Sequence, residues 1–94
     1  GVVMNKSELI KTLSENQNIQ LDEAALIVNT FFDAIKEALL RGERVEIRGF
    51  GSFKIKDYGE YKGRNPKTGE TVLVKSKRLP FFRPGKDLKD YINQ

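Results

Sequence analysis

Neither cysteine nor histidine occurs among the 94 residues. Disulfides are therefore excluded, and so are the usual zinc sites, which draw on thiolate and imidazole ligands. The same absences remove imidazole and thiol chemistry, and no pair of carboxylates falls in a pocket-like pattern, which argues against an enzyme and against any cofactor. Apolar material is scarce as well: 38% of the residues are hydrophobic against 32% charged, and a chain this short buries only a modest fraction of its surface. Of the usual remedies for a small core, a partner subunit is the one that remains. No run approaches the roughly 18–20 apolar residues needed to cross a bilayer, and the amino terminus lacks the apolar core of a signal peptide, so a cytoplasmic location is expected. Gly1-Val2-Val3 ahead of Met4 reads as a leftover from expression, and residues 4–94 as one domain.

What the chain does have is positive charge in one place. The net charge of +4 divides into −2 over residues 1–53, +5 over residues 54–78 and +1 over residues 79–94. The middle segment holds 8 Lys or Arg against 3 Asp or Glu. Such a concentration is the electrostatic footprint of a phosphate-binding surface, though a solvated basic face has the same composition.

At the centre of this segment stands Gly63-Arg64-Asn65-Pro66-Lys67-Thr68-Gly69, which predicts the tip of a β-hairpin. Asn65 suits the first position of a type I turn, Pro66 the second, and Gly69 the positive φ that closes a bulged turn. Pro66 then points outward. Two readings are open: a plain solvated turn, or a wedge for duplex DNA, in which a compact apolar ring enters between base pairs while Arg64 and Asn65 reach acceptors on the minor-groove floor.

Ahead of the arm the periodicity is helical. Asn5 and Glu8 form a capping box for a helix over 5–17, with Leu9, Ile10 and Leu13 as its stripe. A second helix is predicted from Leu21 to Arg41, with Asp22 and Glu23 in its first turn and Gly42 just past its end. Its apolar stripe, which includes Phe31, Phe32, Ile35 and Leu39, is wider than one short helix can cover. Phe31 and Phe32 are adjacent, point about 100° apart and need different partners. With so little other apolar material, the stripe is expected to pack against a second subunit in an obligate dimer.

After Gly42 the period changes to 2. Arg44, Glu46 and Arg48 fall on one strand face, Val45 and Ile47 on the other. That charged row is either a surface ladder or a device in which Glu46 holds one or both arginines toward a phosphate or groove edge. Gly49-Phe50-Gly51 turns the chain, and Phe50 and Phe53 are core candidates. A strand from Ser52 to about Lys56 rises into an arm over about 57–76, whose limbs are Tyr58–Lys62 and Thr71–Val74; such a ribbon is marginal in isolation. Leu79-Pro80-Phe81-Phe82 reads as a short edge strand with at least one Phe inward. Pro84 suits the first turn of a last helix running to about Ile92, with Leu88, Tyr91 and Ile92 inward. Arg83 and Lys86 beside that helix start would attract an anion.

Three stretches, Gly49-Phe50-Gly51-Ser52-Phe53, the Gly63–Gly69 tip and Phe82-Arg83-Pro84-Gly85-Lys86, occur in the order and spacing of the bacterial histone-like family of HU and integration host factor. The sequence resembles that family from Met4 onward. The resemblance implies an α+β fold of intertwined dimers, with a helical base, a β-sheet saddle and two hairpin arms around double-stranded DNA, and Phe31, Phe32, Ile35, Leu39, Phe50, Phe53 and Phe82 are expected in the dimer core. It implies nucleoid organisation and assistance to recombination, replication and transcription. It makes Pro66 the intercalating residue, with Arg64 and Asn65 in the minor groove, and it assigns Lys62, Lys67, Lys75, Lys77, Arg78, Arg83 and Lys86 to DNA contacts. HU and integration host factor are among the proteins from which the general picture of minor-groove wedging is drawn, so the resemblance carries that picture and does not test it. Gly42–Gly49 is most similar to a beta-type subunit of integration host factor, which implies a DNA-facing role for Arg44, Glu46 and Arg48. The ascending limb departs from the family pattern, carrying Tyr58, Glu60 and Tyr61 where arginines are common. The partner is an identical chain or a related subunit. The competing function is a basic-arm module for RNA or single strands, in which Tyr58 and Tyr61 stack on unpaired bases.

Overall fold

The computed structural model describes residues 3–94; of the stretch Gly1-Val2-Val3 expected to be a leftover, the first two residues lie outside the described residues. The elements run α1 (Lys6–Gln17), α2 (Leu21–Leu40), β1 (Val45–Ile47), β2 (Gly51–Tyr58), β3 (Tyr61–Arg64), β4 (Thr71–Val74), β5 (Lys77–Pro84) and α3 (Lys86–Ile92). This is the expected α+β chain. It divides into two compact units, with the boundary after Glu37.

In the first unit, Asn5 caps α1 by accepting from the Glu8 N–H at 2.9 Å. Only this half of the expected capping box is made; the second bond to the Asn5 carboxamide comes from the Ser7 hydroxyl at 2.7 Å. Asn18 ends the helix in the left-handed region with φ 51, and the Ile19 N–H donates to the Ser14 carbonyl. A left-handed asparagine is a common helix stop because its short side chain tolerates that conformation.

Almost nothing here is buried. Among the described residues the only buried hydrophobic side chains are Ala24 and Val28, both on α2. Leu26 is 68% exposed, Phe31 49% and Phe32 38%, and the two phenylalanine rings meet edge to face at 5.4 Å. Ile35 and Leu39 are half-buried. Sequence periodicity marked this stripe correctly as apolar, and the single chain leaves much of it in water.

In the second unit, α2 closes in a Schellman motif: the Glu43 N–H donates to the Ala38 carbonyl and the Gly42 N–H to the Leu39 carbonyl, both at 2.9 Å. β1, β2 and β5 form an antiparallel sheet with β2 in the middle, and β3 with β4 form a separate two-stranded ribbon. Pro80 lies in β5, on the sheet edge, as its missing N–H requires. The Phe82 ring packs against Phe53 at 4.7 Å and Phe50 at 5.5 Å. Gly51 permits this cluster, since a Cβ there would stand 2.6 Å from both the Phe82 ring and the Arg83 carbonyl. Phe50 itself, expected in the core, is exposed in the turn before β2.

Four local expectations are corrected. β1 runs only from Val45 to Ile47, leaving Arg44 ahead of it and Arg48 in the following turn, so that of the expected strand row Glu46 alone lies in the strand. The ascending limb is interrupted: β2 runs to Tyr58, Gly59 and Glu60 are unpaired, and β3 begins at Tyr61. Pro84 ends β5 instead of opening the last helix, whose N-cap is Gly85; its register partner is Gly51, and an edge strand accommodates a residue without an N–H. On α3 only Leu88 is half-buried, while Tyr91 and Ile92 are each 70% exposed.

Candidate nucleic-acid interface

The arm tip is built by its own backbone. The Gly69 N–H reaches the Asn65 carbonyl at 2.8 Å, and the Asn65 N–H reaches the Glu70 carbonyl at 2.8 Å. The turn therefore closes over five residues, one more than the expected type I turn, and Gly69 takes the anticipated positive φ of 74. Asn65 Oδ1 accepts from the Lys67 N–H at 2.9 Å. That bond uses one of the two lone pairs of Oδ1, and the NH2 group of the carboxamide has no hydrogen-bond acceptor among the described residues, so it remains able to donate. Pro66 is exposed between Arg64 and Lys67, which are exposed as well.

Behind the tip the pairing register sorts side chains by face. Tyr61 pairs with Val74, Lys62 with Leu73, Gly63 with Val72 and Arg64 with Thr71. Alternation puts Lys62 and Arg64 on one side of the ribbon and Tyr61, Gly63, Val72 and Val74 on the other. Lys75 lies between β4 and β5, outside either strand.

The three-stranded sheet is sorted in the same way. Ser52 faces Arg83 across the ladder, Lys54 faces Phe81, Lys56 faces Leu79 and Tyr58 faces Lys77, with Glu46 beside Ser52. One face thus carries Lys54, Lys56, Lys77 and Arg83 around Leu79 and Phe81. The Lys56 ammonium stands 3.6 Å from the centre of the Phe81 ring, a cation–π contact. The opposite face holds Val45, Ile47, Phe53, Ile55 and Phe82. Arg78 belongs to that second face, pairs in register with Asp57, and approaches its carboxylate at 3.5 Å. Lys77 and Arg78, adjacent in sequence, therefore point to opposite sides of the sheet.

A groove of about 690 Å³ opens where the end of β1, the start of β2 and the start of α3 meet, lined by Arg44, Arg48, Arg83, Lys86 and Lys89 with Glu46. Glu46 binds Arg44 at 2.8 Å. Of the two arginines it was expected to hold, it holds this one. Lys86 is bridged to Asp90 at 2.7 Å, while Arg48, Arg83 and Lys89 form no ion pair among the described residues. Exposed pairs such as these contribute little to stability and can be exchanged for an anionic ligand.

A family profile described as bacterial DNA-binding protein matches residues 4–93. The chain belongs to this HU-like family. Its backbone is similar to that of HU from Anabaena in a cocrystal with DNA, with 32% identity over 95% of this chain and 97% of the other, and a TM-score of 0.83. It is also similar to HU from Thermotoga maritima, at 32% identity, 95% and 98% coverage and a TM-score of 0.66. A mutant of transcription factor 1, solved in solution, shares 28% identity with 96% and 91% coverage and a TM-score of 0.64.

For a member of the HU-like family, the sheet face adds residues that sequence reasoning missed. Lys54 and Lys56 share a face with Lys77 and Arg83, and Lys89 joins the groove from α3. The signal for the first two was present: Ser52, Lys54, Lys56 and Tyr58 alternate at period 2 with Phe53 and Ile55. What was lacking was the register that brings β5 alongside β2.

Proposed function

We propose that the chain binds double-stranded DNA as an architectural protein, entering the minor groove with its arm and using Pro66 as the wedge that opens a base step. The observation that carries this reading is the tip. A rigid apolar ring stands exposed between two cations, on a turn that also frees the Asn65 NH2 group to donate. Minor-groove floors present acceptors at every base pair, so this donor set suits them. The family membership and the DNA cocrystal of the Anabaena relative support it.

The energetic scheme has two parts. Cations neutralise phosphates and release counterions, which gives affinity that is nearly independent of sequence and falls steeply with salt. Unstacking one step then costs a few kcal/mol, offset because the bent duplex touches more protein. Arg64, Lys62, Lys67 and Lys75 serve the arm, and Lys54, Lys56, Lys77 and Arg83 the sheet face. Arg44, Arg48, Lys86 and Lys89 serve the groove, with Glu46 holding Arg44 in place. Binding takes place as a dimer, with an identical chain or a related subunit, in which Phe31, Phe32, Ile35, Leu39, Phe50, Phe53 and Phe82 supply the shared core. The role is non-enzymatic and belongs to the nucleoid, where bent DNA assists recombination, replication and transcription.

Selectivity among nucleic acids tests the reading. Affinity for a nicked or gapped duplex will exceed that for single strands and for A-form RNA of equal length, measured by fluorescence anisotropy at one salt concentration. A preference for RNA would remove the architectural function and favour a basic-arm RNA module.

The sheet face is tested by salt. Lys54→Ala and Lys56→Ala will each lower the slope of log affinity against log salt by about 1, the contribution of one phosphate contact. Arg78→Ala, on the other face and paired with Asp57, will change it far less. Equal effects from all three would contradict the assignment of faces.

A further inference from the structure

We propose that Tyr61 is a positioning residue that pre-orders the arm by covering Gly63 on the ribbon face away from Lys62 and Arg64. This rests on the reading of the arm as the DNA-entering element.

The arm faces a physical difficulty. A two-stranded ribbon is marginally stable in water, and glycine within a strand weakens it further because it has no side chain to pack and loses more backbone freedom on ordering. Gly63 sits in β3, directly before the Arg64-Asn65-Pro66 tip. In the structure its open face is filled. A Cβ at Gly63 would lie 3.7 Å from Cε2 of Tyr61 and 3.4 Å from Cγ2 of Val74. Tyr61 and Val74 are register partners, so the ring and the isopropyl group close over the glycine from both strands. Within the ribbon strands, Gly63 and Val74 are half-buried while the rest are exposed.

This geometry is the one in which an aromatic compensates for a strand glycine. Its functional consequence is entropic. An arm already paired before it meets the duplex loses less freedom on binding, and affinity rises by the amount saved. The break at Gly59 and Glu60 makes such local support necessary, because the β2–β5 ladder does not extend into the ribbon. Tyr61 thus supplies the arm with preorganisation rather than charge. It does so on the side that carries no cation, where an arginine would gain no phosphate approached by Lys62 and Arg64.

The test compares Tyr61→Ser and Tyr61→Phe in the full chain. In the free protein, amide exchange over residues 61–64 and 71–74 will speed up in Tyr61→Ser and stay near wild type in Tyr61→Phe, while both variants keep the wild-type melting temperature. Duplex affinity will fall by roughly two- to fivefold in Tyr61→Ser, the range for losing one cross-strand aromatic pair. It will be restored in Tyr61→Phe, with an unchanged salt slope in both. Unaltered exchange in Tyr61→Ser would overturn the proposal. So would loss in Tyr61→Phe equal to that in Tyr61→Ser, which would mean that the hydroxyl touches nucleic acid, or a larger loss for single strands than for duplex, which would mean base stacking. Failure of the wild-type chain to bend any duplex would sink the architectural reading alone, leaving the exchange result to decide the role of Tyr61.

Discussion

Phe31→Ala will lower the melting temperature of the free protein by about 12 °C or more, because removing a phenylalanine from a closed core costs ~3–5 kcal/mol and each kcal/mol shifts a domain of this size by ~4–8 °C. In the single chain Phe31 is 49% exposed. A ring so placed in the working state would cost much less on truncation, so the size of the drop reports whether a partner covers it. The expectation follows from a shortage: two buried hydrophobic side chains among the described residues, Ala24 and Val28, do not make a core for 94 residues. Leu26, Ile27, Phe31, Phe32 and Leu40 on α2, together with Tyr91 and Ile92 on α3, all stand open. In the proposed dimer a second subunit supplies what they lack, and the wild-type melting temperature will accordingly rise with protein concentration. A concentration-independent transition, with a small effect of Phe31→Ala, would contradict the shared core.

Pro66→Ala will abolish most of the DNA bend while leaving most of the low-salt retention. In the proposed scheme retention comes from charge, and the substitution removes none, because Arg64, Lys67 and the sheet-face lysines are all kept. In the proposed mechanism the bend comes from holding one base step apart with an inserted apolar block, at a cost of a few kcal/mol. Alanine at the same turn position is too short to fill that gap. Its own effect on the turn is modest, because the closing bonds run from the Gly69 N–H to the Asn65 carbonyl and from the Lys67 N–H to Asn65 Oδ1, and neither involves position 66. Fluorescence transfer between duplex ends reads the bend, and filter retention at low salt reads the binding. Parallel losses in both would mean that Pro66 serves affinity generally and does not act as a wedge.

Much of the fold was legible because local chemistry and tertiary placement agree. Asn5 and Gly42 mark helix ends by side-chain or backbone chemistry that needs no distant partner, and the stripe on α2 declares itself by spacing. The tip was legible for the same reason, since Asn65, Pro66 and Gly69 fix their own turn to within one residue. Facing was not legible wherever it depends on strand register. Lys77 and Arg78 look equivalent in sequence, yet pairing with Tyr58 and Asp57 sends them to opposite sides. Lys54 and Lys56 were passed over because their neighbours on β5 lie 23 to 27 residues away in register. Pro84 misled because proline opens helices as readily as it ends edge strands, and only the Gly51 pairing decides between these roles. The interface groove was the least visible feature: Arg48, Arg83 and Lys89 come together from three separate stretches of chain.

The most direct test is a titration of a nicked duplex, labelled at both ends, with the wild-type protein while fluorescence transfer is followed. Transfer should climb as the ends approach and level off at two chains per duplex. A flat trace at saturating protein, or a plateau reached at one chain per duplex, would contradict a paired body that kinks DNA.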